Sequence, residues 1–149
     1  MPGKDLKHYD KYFKIIEKFA KAINLKIERK SVAGDGAFIH SRSKIVIDQD
    51  LEQSSEIAVL LHELGHAIDL SRQDEFETAV YNLAYNAVYD DNLCTEKHLQ
   101  EVLKWEISAW KTARGLASLL KIKLGEWFDE EERDGLDSYK KVDTKHQNS

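Results

Sequence analysis

Residues 57–70 read Ile57-Ala58-Val59-Leu60-Leu61-His62-Glu63-Leu64-Gly65-His66-Ala67-Ile68-Asp69-Leu70. The apolar residues cover more than one stripe of a helix, the pattern of a central and largely buried one. Ser54 and Ser55 precede it, and either can cap its start. Inside the apolar run stand two imidazoles and a carboxylate, His62-Glu63-x-x-His66. At 3.6 residues per turn, positions four apart lie about 40° from each other on one helical face. Two imidazoles so placed can hold one divalent ion from a single rigid element. Glu63, one residue along, can take a proton from water activated there.

With six histidines in 149 residues, shuffling would produce this pattern on the order of 0.02 times per chain. As ordinary core residues, the imidazoles and carboxylate would be costly to bury without partners. Gly65 costs a helix about 1 kcal/mol relative to alanine. That cost makes sense where another backbone or a substrate approaches closely.

On the N-terminal side, Lys44-Ile45-Val46-Ile47-Asp48 has the β-branched run of a strand. Residues 25–30 and 37–40 read as two more, with turns at Ala33-Gly34-Asp35-Gly36 and at 41–43. Three strands on short turns predict a small antiparallel sheet packed on the central helix. The strand at 45–48, just upstream of that helix, is expected to offer an exposed edge to an extended peptide. Leu6, Tyr9, Phe13, Ile16, Ala20 and Ile23 recur every three or four residues and predict an amphipathic helix over 5–23.

On the C-terminal side, Ser71 with Asp74 reads as a capping box for a helix reaching about Tyr89. That helix carries Tyr81, Tyr85 and Tyr89 on one stripe, most simply a half-buried face with wet hydroxyls. Asp90-Asp91-Asn92 should break it, and Thr95 should cap a long helix through about Ile122. After Gly125, residues 126–139 are expected to hold one or two short helical turns. Residues 140–149 read as a polar, disordered tail. The fold class is therefore α+β: a mostly helical single domain over residues 1–139 with a small sheet.

A catalytic zinc takes three protein ligands and keeps one open position. A metzincin would carry glycine at 69 and histidine at 72, and here those positions hold Asp69 and Arg72. Asp69, three residues past His66, is better placed to orient an imidazole than to bind the ion. Glu106, in Trp105-Glu106-Ile107-Ser108-Ala109-Trp110, is the best third ligand, because Ala109 one turn on permits close helix approach. Glu101 comes next. Glu96, Glu75 and Glu77 sit near helix starts, where a dipole role suits them. Tyr81, Tyr85, Tyr89, His98 and Tyr139 are each able to donate to a developing oxyanion, and the sequence does not choose among them.

Residues 44–110 resemble a minimal gluzincin metallopeptidase, a group of short zinc-dependent proteins of bacteria and phages that includes the ImmA/IrrE-type endopeptidases. The resemblance rests on Ile45-Val46-Ile47-Asp48, then His62-Glu63-Leu64-Gly65-His66, then Glu106-Ile107-Ser108-Ala109-Trp110. It implies a zincin-like domain in which His62, His66 and Glu106 bind one catalytic zinc and Glu63 activates the zinc-bound water. The implied activity is hydrolysis of peptide bonds in a protein substrate. A phage- or bacterium-encoded interaction protein that keeps the metal fold but acts by binding a protein or nucleic acid is the other expectation.

Composition bounds the setting. At 42% hydrophobic and 33% charged residues the chain is globular rather than disordered. No apolar run reaches the ~18–20 residues of a membrane span. The lone Cys94 excludes a disulfide framework, and no secretory signal is legible, so a cytoplasmic protein is expected. Residues 1–30 hold nine Lys or Arg against four acids, a surplus of +5 that leaves −10 for the rest of a chain of net charge −5. That balance argues against nucleic acid as a partner. The lysine face of the first helix is most simply solvated, and otherwise suits an acidic partner. His8, His40 and His146 read as surface residues.

Overall fold

The computed structural model describes residues 2–31, 36–39, 42–89 and 95–147. In chain order these form α1 (Pro2–Ala22), β1 (Lys26–Lys30), β2 (Gly36–Ile39), β3 (Lys44–Asp48), α2 (Gln53–Arg72), α3 (Glu75–Tyr89), α4 (Glu96–Leu119) and α5 (Glu126–Gln147). The expected turn at Ala33-Gly34-Asp35 and break at Asp90-Asp91-Asn92 lie outside the described residues, as do His40 and Cys94. So do the side chains of Tyr89 and His146. No described helix is long and apolar enough to cross a membrane.

α2 is the central element, touching α1, α4, α5, β2 and β3. Ile57, Ala58, Leu60, Leu61 and Leu64 are buried on it. They pack with Ile16 and Ala20 of α1, Ile45 and Ile47 of β3, Trp110, Ala113 and Leu116 of α4, and Phe128 of α5. Each fully buried aliphatic side chain is worth about 1.5–3 kcal/mol of transfer free energy. This core holds α2 rigid. Arg29 of β1 pins the first turn of α2 to the sheet: its Nε donates to Glu56 Oε2 at 2.9 Å, and its guanidinium lies over the Phe13 ring.

The sheet is mixed, not antiparallel, with order β1-β3-β2. β3 pairs with β1 in parallel and with β2 antiparallel. Burial explains the order. Ile45, Val46 and Ile47 are all buried, as a strand covered on its faces and paired on both edges requires. The charged β1 goes to an edge. The residues expected to offer an edge to a peptide therefore have none, and β2 is the edge strand on the other side of the sheet.

Helix ends also differ from expectation. α2 starts at Gln53 behind Glu52, with no side-chain cap, and Ser54 and Ser55 lie inside its first turn. α3 is boxed by Asp74 rather than Ser71. Asp74 Oδ1 accepts from the Glu77 amide at 2.7 Å, and Glu77 Oε1 accepts from the Asp74 amide at 3.2 Å. Ser71 instead donates to the Ile68 carbonyl. Thr95 caps α4 as expected. α4 stops at Leu119 because Lys121 takes a left-handed φ of 59° and the Ile122 amide closes back on the Ala117 carbonyl at 2.8 Å.

The C-terminal region departs most. Residues 126–147 form one helix in place of short turns and a disordered tail. α5 packs on α2 and α4 through Phe128, Leu136 and Tyr139. Lys11, Lys14, Lys18 and Lys21 of α1 are exposed, as is His8.

Candidate metal centre

α2 delivers His62 and His66 one turn apart, with ring centroids 4.6 Å from each other. α4 crosses α2 so closely that a Cβ on Gly65 would collide with the Ala109 carbonyl oxygen and lie 3.0 Å from its carbonyl carbon. Glycine and alanine at the crossing therefore set the depth to which α4 lowers Glu106 toward the two imidazoles. His62, His66 and Glu106 each offer a donor atom, and the three atoms lie within 4.8 Å of one another. His62 Nε2 donates to Glu106 Oε2 at 2.8 Å, and His66 Nε2 is 3.2 Å from Glu106 Oε1.

The donor set suits a metal ion. Two imidazole nitrogens and one carboxylate oxygen are a familiar three-ligand set for a hydrolytic zinc, with a fourth position open. Ligand bonds of about 2.0–2.1 Å at tetrahedral angles separate two donors by about 3.3 Å. The 3.2 Å from His66 Nε2 to Glu106 Oε1 is of that size, while His62 Nε2 meets the other carboxylate oxygen at 2.8 Å, so small side-chain shifts would bring one oxygen and both imidazoles to a common ion.

Tyr139 of α5 donates from its hydroxyl to Glu106 Oε1 at 3.0 Å. The Trp110 ring stacks on His62, 9° from parallel with centroids 4.1 Å apart. Trp110 in turn lies against Gly135 of α5. The Glu63 carboxylate is also buried, with Oε1 3.5 Å from His62 Nδ1. These groups open onto a cleft of about 670 Å³. Gly36 and Ala37 of β2, Tyr81 and Tyr85 of α3, and Glu131, Asp134, Gly135, Ser138 and Tyr139 of α5 contribute to its walls.

Electrostatics tighten the triad. Burial opposes charge on His62, but the Glu106 hydrogen bond and the Glu63 carboxylate outweigh it and push its pKa up to about 9. Burial likewise opposes charge on Glu106, yet hydrogen bonds from the two imidazoles hold its carboxyl well below the usual carboxylate range. In the metal-free protein, the His62 charge stabilises the fold fully below its ordinary pKa of 6.5. That contribution is lost as pH rises through about 9. An ion that takes His62 must displace this proton. Titrating a divalent metal into metal-free protein at pH 7 should release close to one proton per ion, seen as heat that scales with the buffer's ionisation enthalpy. Affinity should climb with pH and level off above about 9. Buffer-independent heat would mean that His62 is already neutral.

Four of the residues singled out in the sequence, His62, Glu63, His66 and Glu106, thus meet in one place. Glu101 does not join them: it accepts from Trp105 Nε1 at 3.0 Å. Asp69 orients no imidazole. Its Oδ1 accepts from Thr112 of α4 at 2.7 Å, and its Oδ2 is buried without a hydrogen-bond partner among the described residues. Glu96 lies in the first turn of α4, and Glu75 and Glu77 in that of α3. Among the candidate oxyanion donors, Tyr81, Tyr85 and Tyr139 line the cleft. His98 is spent at the start of α4, where its Nδ1 accepts from the Thr95 amide at 3.2 Å. The stacking of Trp110 on His62 is not legible in sequence, because its only signal is an i, i+4 position after Glu106.

No protein-family model, curated protein or solved structure matches the chain.

Proposed function

We propose that the protein is a zinc-dependent metalloendopeptidase of the minimal gluzincin kind, with His62, His66 and Glu106 as zinc ligands and Glu63 as general base. One observation carries the reading: the three donor atoms converge within 4.8 Å, from two helices, at the wall of an open cleft. A zinc ion held there would polarise a substrate carbonyl and lower the pKa of water toward ~7. Glu63, adjacent to the ligands and not one of them, takes the proton of the attacking water and returns it to the leaving amine. Tyr139 holds one oxygen of Glu106 and so fixes how that carboxylate faces the imidazoles.

The substrate backbone has a natural seat. β2 pairs with β3 along one edge, and among the described residues no strand pairs with its other edge. Its Gly36 lies against Val59, one helical turn before Glu63, and against the Val46 carbonyl. An extended peptide adding to β2 would run past the catalytic carboxylate.

Purified protein should carry about one zinc per chain and cleave an unfolded carrier protein. A strong chelator should abolish the cleavage, and one equivalent of zinc should restore it. Cleavage that persists in metal-stripped protein would overturn the proposal.

A further inference from the structure

The two oxygens of Glu106 have different surroundings. Oε2 meets His62 Nε2 at 2.8 Å. Oε1 meets His66 Nε2 at 3.2 Å and also accepts from the Tyr139 hydroxyl at 3.0 Å. With one oxygen turned to each imidazole, the carboxylate is set to clasp an ion with both. Such an ion would have four donor atoms from the protein, whereas a hydrolytic site keeps three and an open position. The bond from Tyr139 breaks the symmetry. A hydroxyl bonded to a carboxylate is charge-assisted and among the stronger hydrogen bonds. The oxygen that keeps it has less to give to a metal ion.

Packing holds the hydroxyl where it is. Tyr139 is buried in a cluster with Ala84 and Val88 of α3 and Leu99 and Val102 of α4. Glu106 is only 7% exposed, so bulk water competes poorly for Oε1. One turn before Tyr139 on α5, Gly135 lies against Trp110, where a Cβ would come 3.3 Å from Cζ2. Trp110 stacks in turn on His62. One face of α5 thus braces a carboxylate and an imidazole of the same centre. The phenol has a single proton to donate, and it is directed at Glu106 rather than at a reacting carbonyl.

We propose that Tyr139 is a positioning residue that reserves Glu106 Oε1, so that Oε2 alone ligates the metal ion and one coordination position stays open. This rests on the metal-centre part of the reading above and not on hydrolysis. Partners beyond the ligands commonly tune a metal site in this way, by fixing how each ligand is presented.

The probe is cobalt(II), whose visible absorption is several-fold stronger with four ligands than with five or six. Cobalt-loaded wild-type protein should show the strong band of a four-ligand ion. Tyr139→Phe keeps the buried ring and removes only the hydroxyl. Freed of it, both oxygens should turn to the ion, and the band per bound cobalt should weaken at least twofold. Tyr81→Phe, a change to another tyrosine of the cleft, should keep the wild-type band. Cobalt bound to Tyr139→Phe with an unaltered band overturns the proposal, as does a weak band in the wild type.

A crystal structure of zinc-loaded wild-type protein decides the same point without any variant. Oε2 should lie on the ion and Oε1 on the Tyr139 hydroxyl, and two oxygens on the ion would overturn the proposal. Cobalt that fails to bind, or that gives the same band after His62→Ala, removes the metal centre and this proposal with it. A band that responds as expected in a protein that cleaves nothing removes the peptidase and leaves the role of Tyr139 standing.

Discussion

Replacing Glu63 with glutamine should lower kcat on any cleaved peptide by on the order of 10²–10⁴-fold, the usual contribution of a positioned general base, while metal content stays unchanged. The two halves of this expectation come from different observations. Metal retention follows because the converging donors are His62, His66 and Glu106, and Glu63 is not among them. Loss of rate follows because glutamine keeps the size and burial of the side chain but cannot accept a proton at neutral pH. The measurement is metal content by mass spectrometry beside kcat and KM on one peptide.

A fall in kcat with KM little changed would mean that Glu63 acts in the reaction rather than in binding. Wild-type turnover by the variant would remove Glu63 from the mechanism. The same variant also weighs the interaction-protein reading. A partner held by the surface alone needs no base, so a cellular effect that survives Glu63→Gln would favour binding over hydrolysis.

The parts of the site that were legible in sequence are those governed by local spacing. His62 and His66 share a face because of helical periodicity, and Thr95 caps α4 because a hydroxyl suits orphan amides. Glu106 came from a weaker but physical signal, a carboxylate in an apolar segment beside a small residue. What escaped was decided by pairing at long range. Strand order depends on which strand can be buried on both edges, and Ile45-Val46-Ile47 wins that place from a more polar β1. The extent of α5 is not legible because apolar residues are few after Gly125 and residues 140–149 are polar. The helix is held instead by Phe128 in the core and Tyr139 beside Glu106. Asp69 was read along its own helix, whereas its donor stands across on α4.

Gly65→Ala should destabilise the protein and loosen the metal centre together. On an isolated helix this change would stabilise by about 1 kcal/mol, since alanine is the better helix former. Here the added methyl meets the backbone of Ala109 at the crossing of α2 and α4. Overpacking of this kind costs about 1–3 kcal/mol, occasionally more, and a carbonyl cannot swing aside as a side chain can. Because the obstruction is backbone, the clash should lie at the upper end of that range and dominate, with a net loss of about 2 kcal/mol and a fall in Tm of about 4–8 °C in a chain of this size. Relief comes only by moving α4 outward, and α4 carries Glu106. Its oxygens would then recede from the two imidazoles that they now meet at 2.8 and 3.2 Å. Metal affinity should drop with stability, although no ligand is touched. Ala109→Gly should not rescue the variant, because the obstruction is main chain. A Gly65→Ala protein that melts higher than wild type and binds metal equally well would show that the two helices have room to spare, and the close crossing would no longer explain how Glu106 reaches the histidines.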